Sequence, residues 1–210
     1  FRLSIDRRFH VSGAGLVVTG TASTSTVSVG DHLILQPKGL EIRVRELRAN
    51  DVMVKSAVAG QRVALCLAGK VELGDIDRGD CLVEPTLDQL SQRLDVELTL
   101  LSDAPNALKH LLPVKLYLGA RRVSAKVALI DKGISLLTPG HMSMAQLILD
   151  APISAYSGER FVLRDDSESF HLGGGVILDP NGPQYGKAKP ERLTWLSALT
   201  TGSADTTLKY

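Results

Sequence analysis

Near the start of the chain Asp6, Arg7 and Arg8 stand together in "IDRRF", directly before the glycine-punctuated stretch "HVSGAGLVVTG". Adjacent guanidiniums beside one carboxylate have two chemical uses. They can hold an anionic ligand through charge-assisted hydrogen bonds of roughly 1.5–3 kcal/mol each. They can also form an exposed ion pair with the aspartate that contributes under about 1 kcal/mol. The residue types fit both. Other reactive side chains do not assemble. His10, His32, His110, His141 and His171 are scattered, and none pairs with a cysteine or another histidine at ligand spacing, so each reads as a surface or packing residue and no metal site is expected. Cys66 and Cys81 sit in the apolar stretches "RVALCLAG" and "RGDCLVE", outside any zinc or redox spacing, and read as reduced core residues. No GxxxxGK[ST] loop occurs, and Gly69-Lys70 in "LAGKVELGD" lacks the required hydroxyl residue. GxSxG, HExxH and calcium-loop patterns are absent, so no catalytic residue is expected. Gly173, Gly174 and Gly175 precede the strand "VILD" rather than a helix, which favours a bulge or close backbone contact over a phosphate cradle.

The elements that would position these residues are strands. With 210 residues, 44% hydrophobic and 22% charged, the chain can bury a core and is neither disordered nor fibrous. A formal charge of +1 is too small to mark the whole chain as a nucleic-acid binder, so any RNA contact must come from local patches. No apolar run reaches membrane-spanning length and no signal peptide is visible, so a soluble, cytoplasmic protein without a membrane partner is expected. A strand pattern already running at Phe1 suggests part of a longer protein. Strands are predicted over residues 2–5, 15–21, 32–35, 41–49, 62–68 and 81–83, separated by "VSGAG", "SVGD", "PKG", "AVAG" and "DRGD", whose Gly, Asp and Pro suit reversals. Many short strands without long helices argue for closure, so residues 1–84 are read as one small barrel. "EPTLDQLSQ" interrupts the pattern. Strands resume in "RLDVELTLL" and continue to Asp179, giving a second barrel over 91–180. Residues 181–210 are read as a linker and the start of a C-terminal helical region. "PNGPQYGKAKP" is extended, and "PERLTWLSAL" has proline at a helix start and Leu193, Leu196 and Leu199 on one face. The fold class is all-β, two consecutive small barrels with a short C-terminal helix.

The segment "FRLSIDRRFHVSGAGLVVTGTASTSTVSVGD" resembles the opening of domain two of the translational GTPases, through Phe1, Ile5, Phe9, Val11, Gly13, Gly15, Val17 to Gly20 and Val29-Gly30-Asp31. "AGQRVALCLAG" and "IDRGDCLVE" resemble later strands of the same barrel. "LPVKLYLGARRVSAKVALID" and "ERFVLRDDSESFHLGGGVILD" are similar to the third domain. Within that group the pairing of "IDRRF" with "AGQR", and of "RFVLRD" with "GKAKPERLTWLSAL", is similar to the selenocysteine-specific elongation factors of bacteria. The resemblance implies two barrels of the elongation factor Tu type and a C-terminal winged-helix region. It implies that GTP and magnesium belong to an N-terminal domain outside this sequence, so that this chain is not itself an enzyme although its parent is a GTPase. The partners it implies are selenocysteinyl-tRNA, the ribosome, the parent's own GTP-binding domain and its C-terminal mRNA-binding domain.

The same resemblance assigns a site. The face carrying Asp6, Arg7, Phe9, Thr19 and Arg62 is the pocket for the aminoacyl end of the tRNA, with Asp6, Arg7 and Arg62 nearest the amino acid. Generic factors tend to carry an acidic residue where Arg7 stands and an amide where Arg62 stands, so two cations imply an anionic side chain. A selenol is ionised at neutral pH, whereas serine, the precursor on the same tRNA, is neutral. Guanidiniums facing a serine hydroxyl stay desolvated and short of an acceptor, so rejection is built in. The alternative is that Asp6 and Arg7 pair on the surface and Arg62 caps the barrel rim. Phe9, Gly13 and Thr19 fall where the terminal adenosine and ester are lined, with Arg48 where generic factors have an acidic residue. Arg121, Arg122 and Lys126 form a local basic cluster for tRNA phosphates or a solvated face. Two other functions remain open: the equivalent domains of a generic aminoacyl- or initiator-tRNA carrier, and those of an ATP sulfurylase GTPase subunit.

Overall fold

Short β-branched and leucine-rich runs broken by Gly, Asp and Pro give strands of a few residues, and a sheet of such strands hides its edges by closing on itself. The computed structural model describes residues 1–13, 15–131 and 133–200. They divide into two units, Phe1–Leu90 with Gly119–Arg121, and Ser91–Leu118 with the residues from Arg122 on.

The first unit holds β1 (Arg2–Val11), β2 (Gly15–Thr24), β3 (Thr26–Ser28), β4 (His32–Gln36), β5 (Leu40–Ala49), β6 (Val52–Met53), β7 (Ser56–Val58), β8 (Arg62–Ala68) and β9 (Cys81–Val83). The sheet order is β4-β9-β1-β2-β8-β5-β6, and a further pairing of β4 with β5 closes six of these strands into a barrel. β3 and β7 pair as a separate ribbon. Alternation sends Leu3, Ile5, Val18, Val44, Leu65 and Leu82 into a common core. Two irregularities interrupt it. The register shifts in β1 between Ile5 and Arg7, and in β5 between Val44 and Glu46. Each shift sets an extra residue against one partner. In β5 the core-facing residues consequently run Ile42, Val44 and then Leu47.

The second unit holds β10 (Ser91–Leu100), β11 (Leu108–Lys109), β12 (Leu112–Leu118), β13 (Arg121–Leu129, whose first residue counts with the first unit), β14 (Leu136–Leu137), β15 (Met142–Ile153), β16 (Arg160–Asp165), β17 (His171–Asp179) and, among the described residues, one helix, α1 (Pro190–Thr200). A closed barrel runs β10-β15-β13-β12-β16-β17 around a core that includes Leu94, Leu98, Leu116, Val127, Leu147 and Leu163. The glycine run of β17 is explained by contact. A Cβ on Gly173 would lie 2.1 Å from the Thr99 carbonyl oxygen, one on Gly174 2.4 Å from that of Phe161, and one on Gly175 1.8 Å from that of Glu97. These glycines admit neighbouring backbone, as the sequence favours.

The two-barrel, all-β class with a short C-terminal helix is the architecture the sequence implies. The helix begins at Pro190 as expected, but it does not stand apart: Leu196 is wholly buried against Ile130 and Leu178 of the second unit. An eleven-residue helix needs such packing, because isolated helices of that length are marginal in water. The last ten residues of the expected 181–210 region lie outside the described residues.

Candidate functional site

The register of four adjacent strands builds the site on the outer face of the first barrel. Phe9 lies opposite Val17, Val17 opposite Cys66, and Cys66 opposite Glu46. One step along the strands, Arg7 lies opposite Thr19, Thr19 opposite Ala64, and Ala64 opposite Arg48. Arg62 follows two residues beyond Ala64 on β8, opposite Thr21. With a side-chain period of two, these residues share one face. Arg7, Thr19 and Arg48 thus stand in one row across the sheet, although forty-one positions separate the first from the last in sequence.

That face carries two adjoining hollows. One of about 310 Å³ is lined by Phe9, Val11, Val17, Thr19, Arg48 and Cys66, together with Glu46, Asp51 and Ala64. The other, of about 240 Å³, shares Thr19, Arg48, Asp51 and Ala64 with it and extends to Asn50, Arg62 and Val63. An apolar compartment floored by Phe9, Val17 and Cys66 therefore leads to a charged end at Arg62. Phe9 is 40% exposed and stands outside the barrel core.

The β1 bulge lies at the charged end: the register shifts between Ile5 and Arg7, which leaves Asp6 as the extra residue beside Arg7 and Thr19. Thr19 Oγ1 donates to Asp6 Oδ1 at 2.7 Å. Arg62 takes the same carboxylate in a fork, through a close Nη1 contact to Oδ2 and Nη2 to Oδ1 at 3.2 Å. Burial pushes the Asp6 carboxyl up, but the hydrogen bonds from Arg62 and Thr19 and the charges of Arg62 and Arg7 outweigh it, leaving the group below the usual aspartate range. The hydrogen bond to Asp6, and then its charge, hold Arg62 more firmly protonated than usual. Asp6 thus pairs with Arg62 rather than Arg7. Arg7 is exposed and acts on Asp6 only through space.

Phe9, Thr19, Arg48 and Arg62 line these hollows. Asp6 and Arg7 line neither: Asp6 joins the site through Thr19 and Arg62, and Arg7 through its place opposite Thr19. Gly13 stays apart: it occupies the turn between β1 and β2 at φ +79° and does not line either hollow. Arg121, Arg122 and Lys126 do not form one basic patch. Strand alternation puts Arg122 and Lys126 on the exposed face of β13 and Arg121 on the other. Arg121 ion-pairs Asp80 at 2.9 Å, and Arg122 ion-pairs Glu168 at 2.6 Å. Two of the three charges are therefore already matched. Sequence reasoning missed Val11, Val17, Glu46, Asn50, Asp51 and Ala64. Asn50 and Asp51, at φ +50° and +63°, form the two-residue turn between β5 and β6, and "AND" is a turn signal that was available. Cys66 is buried as expected, but it lines the hollow on the outward face and not the barrel core; burial raises its thiol pKa.

Residues 92–184 match the family described as the selenocysteine-specific elongation factor, beta-barrel domain. The selenocysteine-specific elongation factor of Escherichia coli (strain K12) is 38% identical over 205 residues, which is 98% of this chain and 31% of that one. The chain belongs to the selenocysteine-specific elongation factor family. A second member, from Desulfomicrobium baculatum, is 34% identical over 202 residues, covering 95% of this chain and 31% of its own. A solved bacterial selenocysteine-specific elongation factor superposes with a TM-score of 0.78 at 28% identity, covering 99% of this chain and 32% of that structure. The chain thus spans about a third of these family members. No helix among the described residues is long and apolar enough to cross a membrane.

Proposed function

We propose that this chain supplies domains two and three of a cytoplasmic selenocysteine-specific elongation factor, and that the face over β1, β2, β8 and β5 receives the aminoacyl end of selenocysteinyl-tRNA for delivery to the ribosome. The observation that carries the reading is the row of Arg7, Thr19 and Arg48 beside the Asp6–Arg62 fork, at the end of a hollow floored by Phe9 and Val17. The apolar compartment suits a planar base and the ester, because a base held against an aromatic ring gains stacking energy. The charged end suits the amino acid. Asp6 neutralises Arg62 and fixes its fork, so Asp6, Arg7 and Arg62 together leave one uncompensated positive charge. A selenolate completes that set; a serine hydroxyl leaves Arg7 without an anion.

In this reading Asp6 and Thr19 are positioning residues, Arg7 and the outer donors of Arg62 meet the selenolate, and Phe9 and Arg48 line the terminal nucleoside. Gly13 shapes the turn. Arg122 and Lys126 are the members of the basic cluster left to approach tRNA phosphates, and Arg122 would do so by leaving Glu168. GTP and magnesium belong to the N-terminal domain of the full-length factor, and reading of mRNA to its C-terminal part. A photoreactive group on the amino acid of the bound tRNA, with peptide mapping of the adduct, tests the placement. Cross-links to β1, β2, β5 or β8 are expected. Cross-links confined to the second barrel would contradict it.

A further inference from the structure

The chain does not simply leave the second barrel at Asp179. Asn181 bridges in parallel to Arg93, and the Gly182 N–H donates to the Arg93 carbonyl at 3.0 Å. The Pro183 carbonyl accepts from Gln146 Nε2 at 3.0 Å. A Cβ on Gly182 would come within 2.7 Å of Asp95 Oδ1 and 2.8 Å of Gln146 Nε2, so the segment lies flat on these two side chains. Asp95 and Gln146 are a cross-strand pair of β10 and β15, and both are wholly buried. They alternate with the core residues Leu94, Val96, Ala145 and Leu147 and so point away from the barrel interior. The segment after β17, with α1, is what covers them.

The helix returns to the same spot. Arg192 donates to Asp95 Oδ2 from Nε at 3.1 Å and from Nη2 at 2.5 Å, and Nη2 also reaches Asp179. Its guanidinium carbon lies 4.4 Å from the centroid of the Trp195 ring. Gln146 Nε2 donates to the other oxygen of Asp95 at 2.7 Å. By contrast the apolar seat is small. Leu196 is the one fully buried residue of α1, with Leu193, Trp195 and Leu199 partly covered. A carboxylate taken wholly out of water is costly unless a cation stays with it, and breaking such a pair from one side leaves that cost exposed.

We infer that residues 180–200 form a polar clasp in which Arg192 on Asp95 decides whether α1 is docked and helical or released and unwound, while the barrel stays folded in both states. The helix is too short to persist once released. Buried ion pairs serve best as devices that fix one arrangement rather than as sources of stability, and this one fixes the seat of α1. A pull on α1 is delivered through Arg192 to the Asp95–Gln146 pair, and so to β10 and β15. The proposal is independent of the tRNA reading.

Hydrogen exchange on the full 210-residue chain, with peptide resolution, tests it. In Arg192→Met the peptide over α1 should exchange about a hundredfold faster, the helical circular dichroism should fall, and peptides of β10 and β15 should keep their protection. Asp95→Asn, which keeps the shape and the Gln146 contact, should speed exchange of α1 by a smaller factor. The double variant should be little worse than Arg192→Met, because both changes remove the same contact. Unchanged exchange of α1 in Arg192→Met would show that Leu196 and its neighbours hold the helix unaided. Loss of protection in β10 and β15 together with α1 would show that the pair belongs to the barrel core. If Arg192→Met does not fold, that too counts against a separable clasp, and Asp95→Asn repeats the comparison.

Discussion

Asp6 is the residue on which the charged end of the site turns. It receives Thr19 and the Arg62 fork at once, and its carboxyl stays below the usual aspartate range against the opposing effect of burial. Removing Arg62 deletes the strongest opposing contact and leaves the burial. In Arg62→Ala the Asp6 carboxyl should therefore titrate higher than in the wild type, followed by carboxyl carbon chemical shifts. An unchanged midpoint would mean that Thr19 and Arg7 suffice. The sign for stability follows from the lowered value: the wild-type interaction stabilises the fold above the unfolded aspartate pKa and is lost as pH falls through the lower folded one. Acid denaturation of Arg62→Ala should consequently lose this part of its pH dependence. The sequence displays Asp6 and Arg7 as neighbours, and the alternative reading pairs them on the surface; in the structure Arg62, 56 positions away, takes the carboxylate beside the bulge in β1.

At the scale of elements, bulges and tight turns did the positioning, and these were the least legible features. The strands announce themselves through alternation and turn residues, whereas a bulge shows only as a slip of one place in a hydrophobic pattern, as from Val44 to Leu47 in β5. The turn Asn50-Asp51 holds left-handed backbone at both positions, and both residues are exposed. Asn50→Val should destabilise the chain by about 1–2 kcal/mol through backbone strain alone, and Asn50→Gly should not, both measured by chemical denaturation. Equal midpoints for the two variants would contradict a left-handed turn. The close approach of β17 to β10 gives a harsher case. Gly175→Ala drives a methyl group into the Glu97 carbonyl and should cost about 3 kcal/mol or more. A melting temperature like that of the wild type would show that the two strands are further apart. The helix was legible in its start and its apolar face, but not in its docking, because Asp95 and Arg192 are 97 positions apart and neither looks unusual in sequence.

For the molecule as a whole, strand spacing and turn chemistry were enough to read two barrels, and the motif pattern to read the family, while the site emerged only once four strands were laid side by side. No phosphate-cradling loop occurs in the 210 residues. Calorimetry should accordingly detect no GTP binding by this chain, and micromolar affinity would overturn that expectation. In the proposed function, Arg7 and Arg62, beside the outer-face hollow, recognise the ionised side chain carried by the tRNA. The most direct measurement is the ratio of affinities for selenocysteinyl-tRNA and seryl-tRNA in the full-length factor, compared between the wild type and Arg7→Ala. Each charge-assisted hydrogen bond lost corresponds to roughly 1.5–3 kcal/mol, so the ratio should fall by about tenfold or more while seryl-tRNA binding stays nearly constant. Equal losses for both tRNAs would place Arg7 on the RNA backbone and overturn its role at the amino acid.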